Sequence, residues 1–171
     1  MSYLSPTIYV VCLKSYNTGR LHGVWLNADQ DADDLRAAIT EMLQQSPEPD
    51  AKDYVIHEFV DFGDLRIDKN HDLDTVSDWA KFIVEHGKIG AELIFYCNGD
   101  TTEASTLMED CYYGSYGSKS DFVEEFLEQT GTEIPESLRS YIDYELMTRD
   151  WFISDFFSLD VDGKAHVFSN H

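Results

Sequence analysis

Apolar and polar positions along the chain change period several times, and each change marks an element. "TIYVVCL" (7–13) is dense in β-forming residues, and "LHGVWLN" (21–27) is a second strand candidate. "KSYNTGR" between them, with Asn17 and Gly19, supplies a hairpin loop. Over "DADDLRAAITEMLQQ" the period lengthens: Leu35, Ala38, Ile39, Met42 and Leu43 recur at the spacing of one helix face. Acids crowd its first turn, where the macrodipole favours them. "SPEPD" (46–50) ends that helix, and "DYVIHEFV" (53–60) predicts a third strand. The result is a ββαβ unit over residues 1–61.

From Phe62 the texture becomes helical. In "DLDTVSDWAKFIVEHG", Asp72 or Asp74 is the N-cap, Leu73, Val76, Trp79, Ala80 and Ile83 form an apolar face, and Gly87 is the stop. "KIGAELIFYCNG" reads as a short helix ending at Gly99, and its apolar run suits a strand equally. "TTEASTLMEDCYYG" opens another helix capped by Thr101 or Thr102. In "SKSDFVEEFLEQTG" (118–131), Phe122, Val123, Phe126 and Leu127 face a core while the acids face out. "IPESLRSYIDYELMTRDW" predicts one helix with Pro135 near its first turn. "FFSLDVDGKAHVFS" predicts a hairpin around Asp162-Gly163. The fold class is therefore α+β in three small domains. These are an N-terminal ββαβ antiparallel sheet (1–61), a helical middle (62–103) and a C-terminal α/β part with a hairpin (104–171).

Charge then narrows the function. The 171 residues hold 33 acids against 12 bases, a net charge of −21. Residues 1–61 carry 10 acids and 4 bases, 62–103 carry 9 and 4, and 104–171 carry 14 and 4, so acid is built into every segment. Such a field attracts cationic surfaces and repels nucleic acid and anionic membranes. Neither is expected as a partner. Cys12, Cys97 and Cys111, odd in number and widely spaced, suit reduced buried thiols in a cytoplasmic protein. The N-terminal stretch suggests no signal peptide, and no run approaches the ~20 apolar residues of a membrane span.

Candidate chemistry is thin. Asp29, Asp31 and Asp33 of "DQDADD" match positions one, three and five of an EF-hand loop, but Asp34 and Thr40 stand where Gly and an acid belong. A helix N-terminus is the better account. "GSYGSKS" (114–120) lacks the Walker spacing and a preceding apolar strand, and acids follow it; a loop with a helix cap at Ser118 or Ser120 fits better. Paired carboxylates of a glycosidase type are unavoidable among 33 acids and carry no specificity. The six histidines show no zinc spacing. Trp25, Trp79 and Trp151 sit in apolar patterns and are expected in the core. No catalytic residue, metal or cofactor is expected, and the chain does not read as an enzyme.

What remains is the acid face of 118–131. Asp121, Glu124, Glu125 and Glu128 fall at offsets of zero, three, four and seven, on one helical face. Like pairs at that spacing destabilise an isolated helix by roughly 0.2–0.5 kcal/mol each. A rise of 1.5 Å per residue spreads them over about 10 Å, comparable to the ~3.4 Å charge spacing of one DNA strand. Either the face is solvated surface that keeps the protein soluble, or it imitates DNA in the basic channel of a DNA-binding enzyme. Asp29, Asp31, Asp33 and Asp34 form a second such patch.

The stretches "IYVVCLKSYNTGRLHGVWLNADQDADDLRAAITEML" and "SPEPDAKDYVIHEFVDFGDLRI" resemble the N-terminal part of the ArdA antirestriction proteins. "YYGSYGSKSDFVEEF", "IPESLRSYIDYELMTRDWFISDFFSLD" and "AHVFSN" resemble their C-terminal part. The resemblance implies an elongated three-domain DNA mimic, a homodimer joined through its C-terminal domain and usually carried by mobile genetic elements. It implies competitive occupation of the DNA-binding groove of type I restriction–modification enzymes, at their methyltransferase core. The family's acidic antirestriction motif maps around Asp121, Glu124, Glu125 and Glu128, with Lys119 beside it as a departure from pure negative charge. Tyr141, Ile142 and Tyr144 are candidates for the dimer seam, or else monomer core. The competing function is a general acidic adaptor or chaperone for basic proteins.

Overall fold

A computed structural model describes residues 4–68 and 71–170. The chain divides into two compact units, Met1–Thr101 and Thr102–His171, and mixes helices with small antiparallel sheets, an α+β fold.

In the first unit, β1 (Thr7–Cys12), β2 (Gly23–Asn27) and β3 (Tyr54–Val60) form a sheet in the order β2-β1-β3, both pairs antiparallel. Helix α2 (Ala32–Gln44) packs on β1 and β2. Alternation in the strands sorts the two faces of the sheet. Ile8 and Val10 are fully buried, opposite Leu26 and Val24 on one side and Phe59 and Ile56 on the other. Leu35, Ile39 and Met42 of α2 are buried as well. Tyr9, between the two inward residues, pairs with Trp25, and their rings stack at 5.0 Å. Trp25 is therefore not a core residue as expected: it is 49% exposed, because its register with Tyr9 turns it to the open face.

The β1–β2 connection also departs from a plain loop. Leu13–Asn17 forms one helical turn, α1, held by Thr18 N–H and its hydroxyl donating to Ser15 O. Gly19, at φ 83°, then reverses the chain. Helix α3 (Leu73–His86) starts on Asp72, whose side chain accepts from Asp74 N–H, and stops at Gly87 with φ 77°. "KIGAELIF" resolves as helix, α4 (Lys88–Tyr96), with Ile89, Ala91, Leu93 and Ile94 buried. Trp79 is buried, its indole N–H donating to Gly99 O at 2.9 Å.

Helix α5 (Thr101–Asp110) begins at Thr101 itself, so neither threonine precedes it as a cap. The second unit then holds β4 (Tyr112–Tyr116), α6 (Lys119–Gln129), α7 (Glu136–Arg139), α8 (Tyr144–Ser154), β5 (Phe156–Val161) and β6 (Lys164–Ser169). Its sheet is antiparallel in the order β4-β6-β5. Asp162 and Gly163, at φ 52° and 78°, make the β5–β6 turn that the Asp-Gly pair predicts.

Two expectations fail here. "YYGSY", read as the end of a helix and the start of a loop, is a strand that completes the sheet by pairing with β6. The single helix expected after Pro135 breaks into α7 and α8, because the Asp143 side chain accepts from Leu146 N–H and starts a new helix there. Phe122, Val123, Phe156 and Val167 form the buried centre of the unit, and Phe126, Tyr144, Trp151 and Phe152 pack around it half-buried. Cys12, Cys97 and Cys111 are all buried, and none is in a disulfide among the described residues. Among the described residues no helix is long and apolar enough to cross a membrane.

Candidate acidic interface

Helix α6 is built to hold one face down and the other out. The Ser118 hydroxyl accepts from Asp121 N–H at 3.1 Å and satisfies an otherwise open amide of the first turn. At about 100° per residue, Phe122, Val123, Phe126 and Leu127 cluster on one side, and the four acids occupy the opposite ~100°. Phe122 and Val123 are buried, whereas Asp121, Glu124, Glu125 and Glu128 are all exposed. The Phe122 ring contacts Tyr113, Tyr116, Phe126, Phe152 and Phe156 at centroid distances of 5.0–6.0 Å, which fixes the roll of the helix.

The carboxylates have few internal partners. Glu125 accepts from Gln129 Nε2 at 3.0 Å. Burial first, then the Glu125 charge, raises the Tyr116 phenol above its ordinary value. The Asp121 carboxylate lies against Gly117, where an added Cβ would sit 2.8 Å from its oxygen. Glu124 and Glu128 border a cleft of about 230 Å³ whose wall includes Arg139 and Tyr144. Arg139 makes its ion pair with Glu136, at 3.4 Å. Among the described residues none of the four acids forms an ion pair. Lys119 lies toward α8, its Nζ 5.3 Å from the Phe152 ring centre.

The second acidic patch is half neutralised from within. Asp29, Asp31, Asp33 and Asp34 are exposed at the start of α2. Asp31 ion-pairs with Lys81 of α3. Arg36 bridges Asp33 at 2.9 Å and Asp74 of α3 at 2.8 Å. The Lys81 hydrogen bond, then its charge, holds Asp31 below the usual carboxylate range. Asp29 and Asp34 stand outside these pairs among the described residues. Arg36, Lys81 and Asp74 were not identified as site residues from the sequence; Arg36 lies three positions from Asp33, a spacing that brings them onto one helix face, whereas the Arg36–Asp74 and Lys81–Asp31 pairs span 38 and 50 positions and no local pattern announces them. The EF-hand alternative gives way to a helix entry: α2 begins at Ala32, directly after Asp31.

Another acid pair joins Glu92 of α4 and Asp64. Burial, then a hydrogen bond and charge from Asp64, raise Glu92 to about 7. Of the dimer candidates, Tyr141 is 83% exposed, Ile142 is half-buried, and Tyr144 packs on the unit's own core.

The second unit thus carries 15 acids against 4 bases in 70 residues, and its α6 face is an ordered row of solvent-facing carboxylates. That defines an acidic α+β protein suited to a cationic partner. The family model of the antirestriction protein ArdA matches residues 8–163 of the 171, and the chain belongs to that family. A comparison with curated proteins gives no match.

Proposed function

We propose that this antirestriction protein is a non-enzymatic mimic of duplex DNA. It competes for the DNA-binding groove of type I restriction–modification enzymes at their methyltransferase core. The observation that supports this most is the α6 face: four exposed carboxylates on about 10 Å of helix, without ion-pair partners among the described residues. One charge per ~3.4 Å is the spacing of a single phosphate strand, so lysines and arginines placed for phosphates can meet carboxylates instead. The α2 acids add to the field but contribute less, since Lys81 and Arg36 already occupy two of them.

The protein acts in this reading as a homodimer. Tyr141, with Leu138 and Ile153 also exposed in the same unit, offers apolar surface to a second copy, while Tyr144 contributes chiefly to the monomer core. The test is competition between the purified protein and labelled cognate DNA for a type I methyltransferase core. Displacement of the DNA at stoichiometric protein is expected. Binding to the enzyme without displacement, or equal binding to unrelated basic proteins, contradicts the proposal and favours a general acidic adaptor.

A further inference from the structure

The open face of the N-terminal sheet carries aromatic rings that its own core does not use. Tyr9 and Trp25 stack at 5.0 Å, His57 lies edge-on to Tyr9 at 6.2 Å, and Tyr16 of α1 meets His57 at 5.4 Å. Trp25 and Tyr16 are each about half exposed, and His57 is exposed. Rings of this size normally contribute most when buried, yet here α2 covers the opposite face. A β-bulge beside Tyr9 places exposed Glu58 directly across from it, so a carboxylate stands at the edge of the ring cluster.

Two partner classes use aromatic sheet faces, and charge chooses between them. Single-stranded nucleic acid stacks its bases on such platforms, but those platforms sit in positively charged grooves. This face has Glu58 at its edge in a protein of net charge −21. A guanidinium satisfies both features at once, stacking on the indole and pairing with the carboxylate. Among the described residues no cation is placed over the Trp25 ring, so this platform is open to a cation from outside.

We infer that the Tyr9–Trp25–His57 face with Glu58 is a docking surface for an arginine side chain presented by a basic protein. It is built from other residues than the α6 row and does not depend on the α6 reading. Arginine fits better than lysine, because only the planar guanidinium both stacks and donates in a fork.

The full chain is titrated with two short peptides of equal charge, one arginine-based and one lysine-based, while the Trp25 indole N–H is followed by NMR. The arginine peptide is expected to shift the Trp25 signal and to bind roughly threefold to fivefold tighter than the lysine peptide. Trp25→Leu and the gentler Glu58→Gln should each remove most of that preference. The variant with all four α6 acids neutralised should keep the Trp25 response, which separates this surface from the α6 proposal. Equal affinities with a silent Trp25 overturn the inference. So does a Trp25 response to an oligonucleotide and not to arginine, or a Trp25→Leu effect on oligomeric state alone.

Discussion

Two groups of four acids, one leading into α2 and one along α6, are treated by the structure in opposite ways. At the start of α2, Asp31 and Asp33 are tied to Lys81 and Arg36, and Arg36 carries on to Asp74. On α6 the acids face solvent without an ion pair among the described residues, above a tightly packed aromatic face. In α2 part of the negative charge helps connect two helices; in α6 mutual repulsion is tolerated. Charge counted from composition hides this difference, and only the unpaired row is suited to exchange its hydration for a partner's cations.

Several perturbations break or sharpen the contrast. The largest is Phe122→Ala, which removes the ring that seats α6. It should cost about 3–5 kcal/mol, measured by chemical denaturation, and should abolish inhibition along with the fold of the second unit. Neutralising the α6 row (Asp121→Asn, Glu124→Gln, Glu125→Gln, Glu128→Gln) is more telling. Inhibition should fall on the order of a hundredfold at low salt, while the melting temperature holds or rises, because four like-charge pairs worth roughly 0.2–0.5 kcal/mol each disappear. The matching α2 set (Asp29, Asp31, Asp33 and Asp34 to Asn) should do the reverse. It should lower stability by no more than about 1 kcal/mol per exposed ion pair lost, with only a severalfold effect on inhibition.

The smallest effect is a pH dependence. Glu92, raised to about 7 by burial and by Asp64, is protonated in the folded chain where the unfolded chain has already ionised. The folded state therefore binds more protons between its ordinary pKa and about 7, and stability from this group declines as pH rises through that window. Glu92→Gln should flatten this decline, raising the melting temperature at pH 8 more than at pH 5. A uniform shift at both pH values would assign the substitution to packing alone.

Most of the fold was legible because periodicity reports burial. The density of β-forming residues in β1, the threefold and fourfold spacing of α2 and α3, Asp72 and Gly87 at the ends of α3, and the Asp162-Gly163 turn all act locally. Tyr112–Tyr116 was missed because its one neighbour in the sheet, β6, comes from the far end of the chain. Its Gly and Ser positions also read as loop. The break before α8 was visible in principle in Asp143, a good N-cap residue followed by a helical run. Trp25 misled because apolar residues flank it, and only the register opposite Tyr9 shows which way it faces. The acid row of α6 was readable from spacing alone. Its lack of cation partners was not, since Lys81 shows that such a partner can arrive from a distant segment.

The most direct test of DNA imitation is the inhibition constant against a type I methyltransferase core as a function of salt, for the native chain and the α6-neutralised variant. Four carboxylates acting as phosphates predict a loss on the order of a hundredfold between 50 and 200 mM salt, and a variant whose dependence is shallower by roughly four charges. An inhibition constant indifferent to salt, or equally steep slopes for both proteins, would contradict the account.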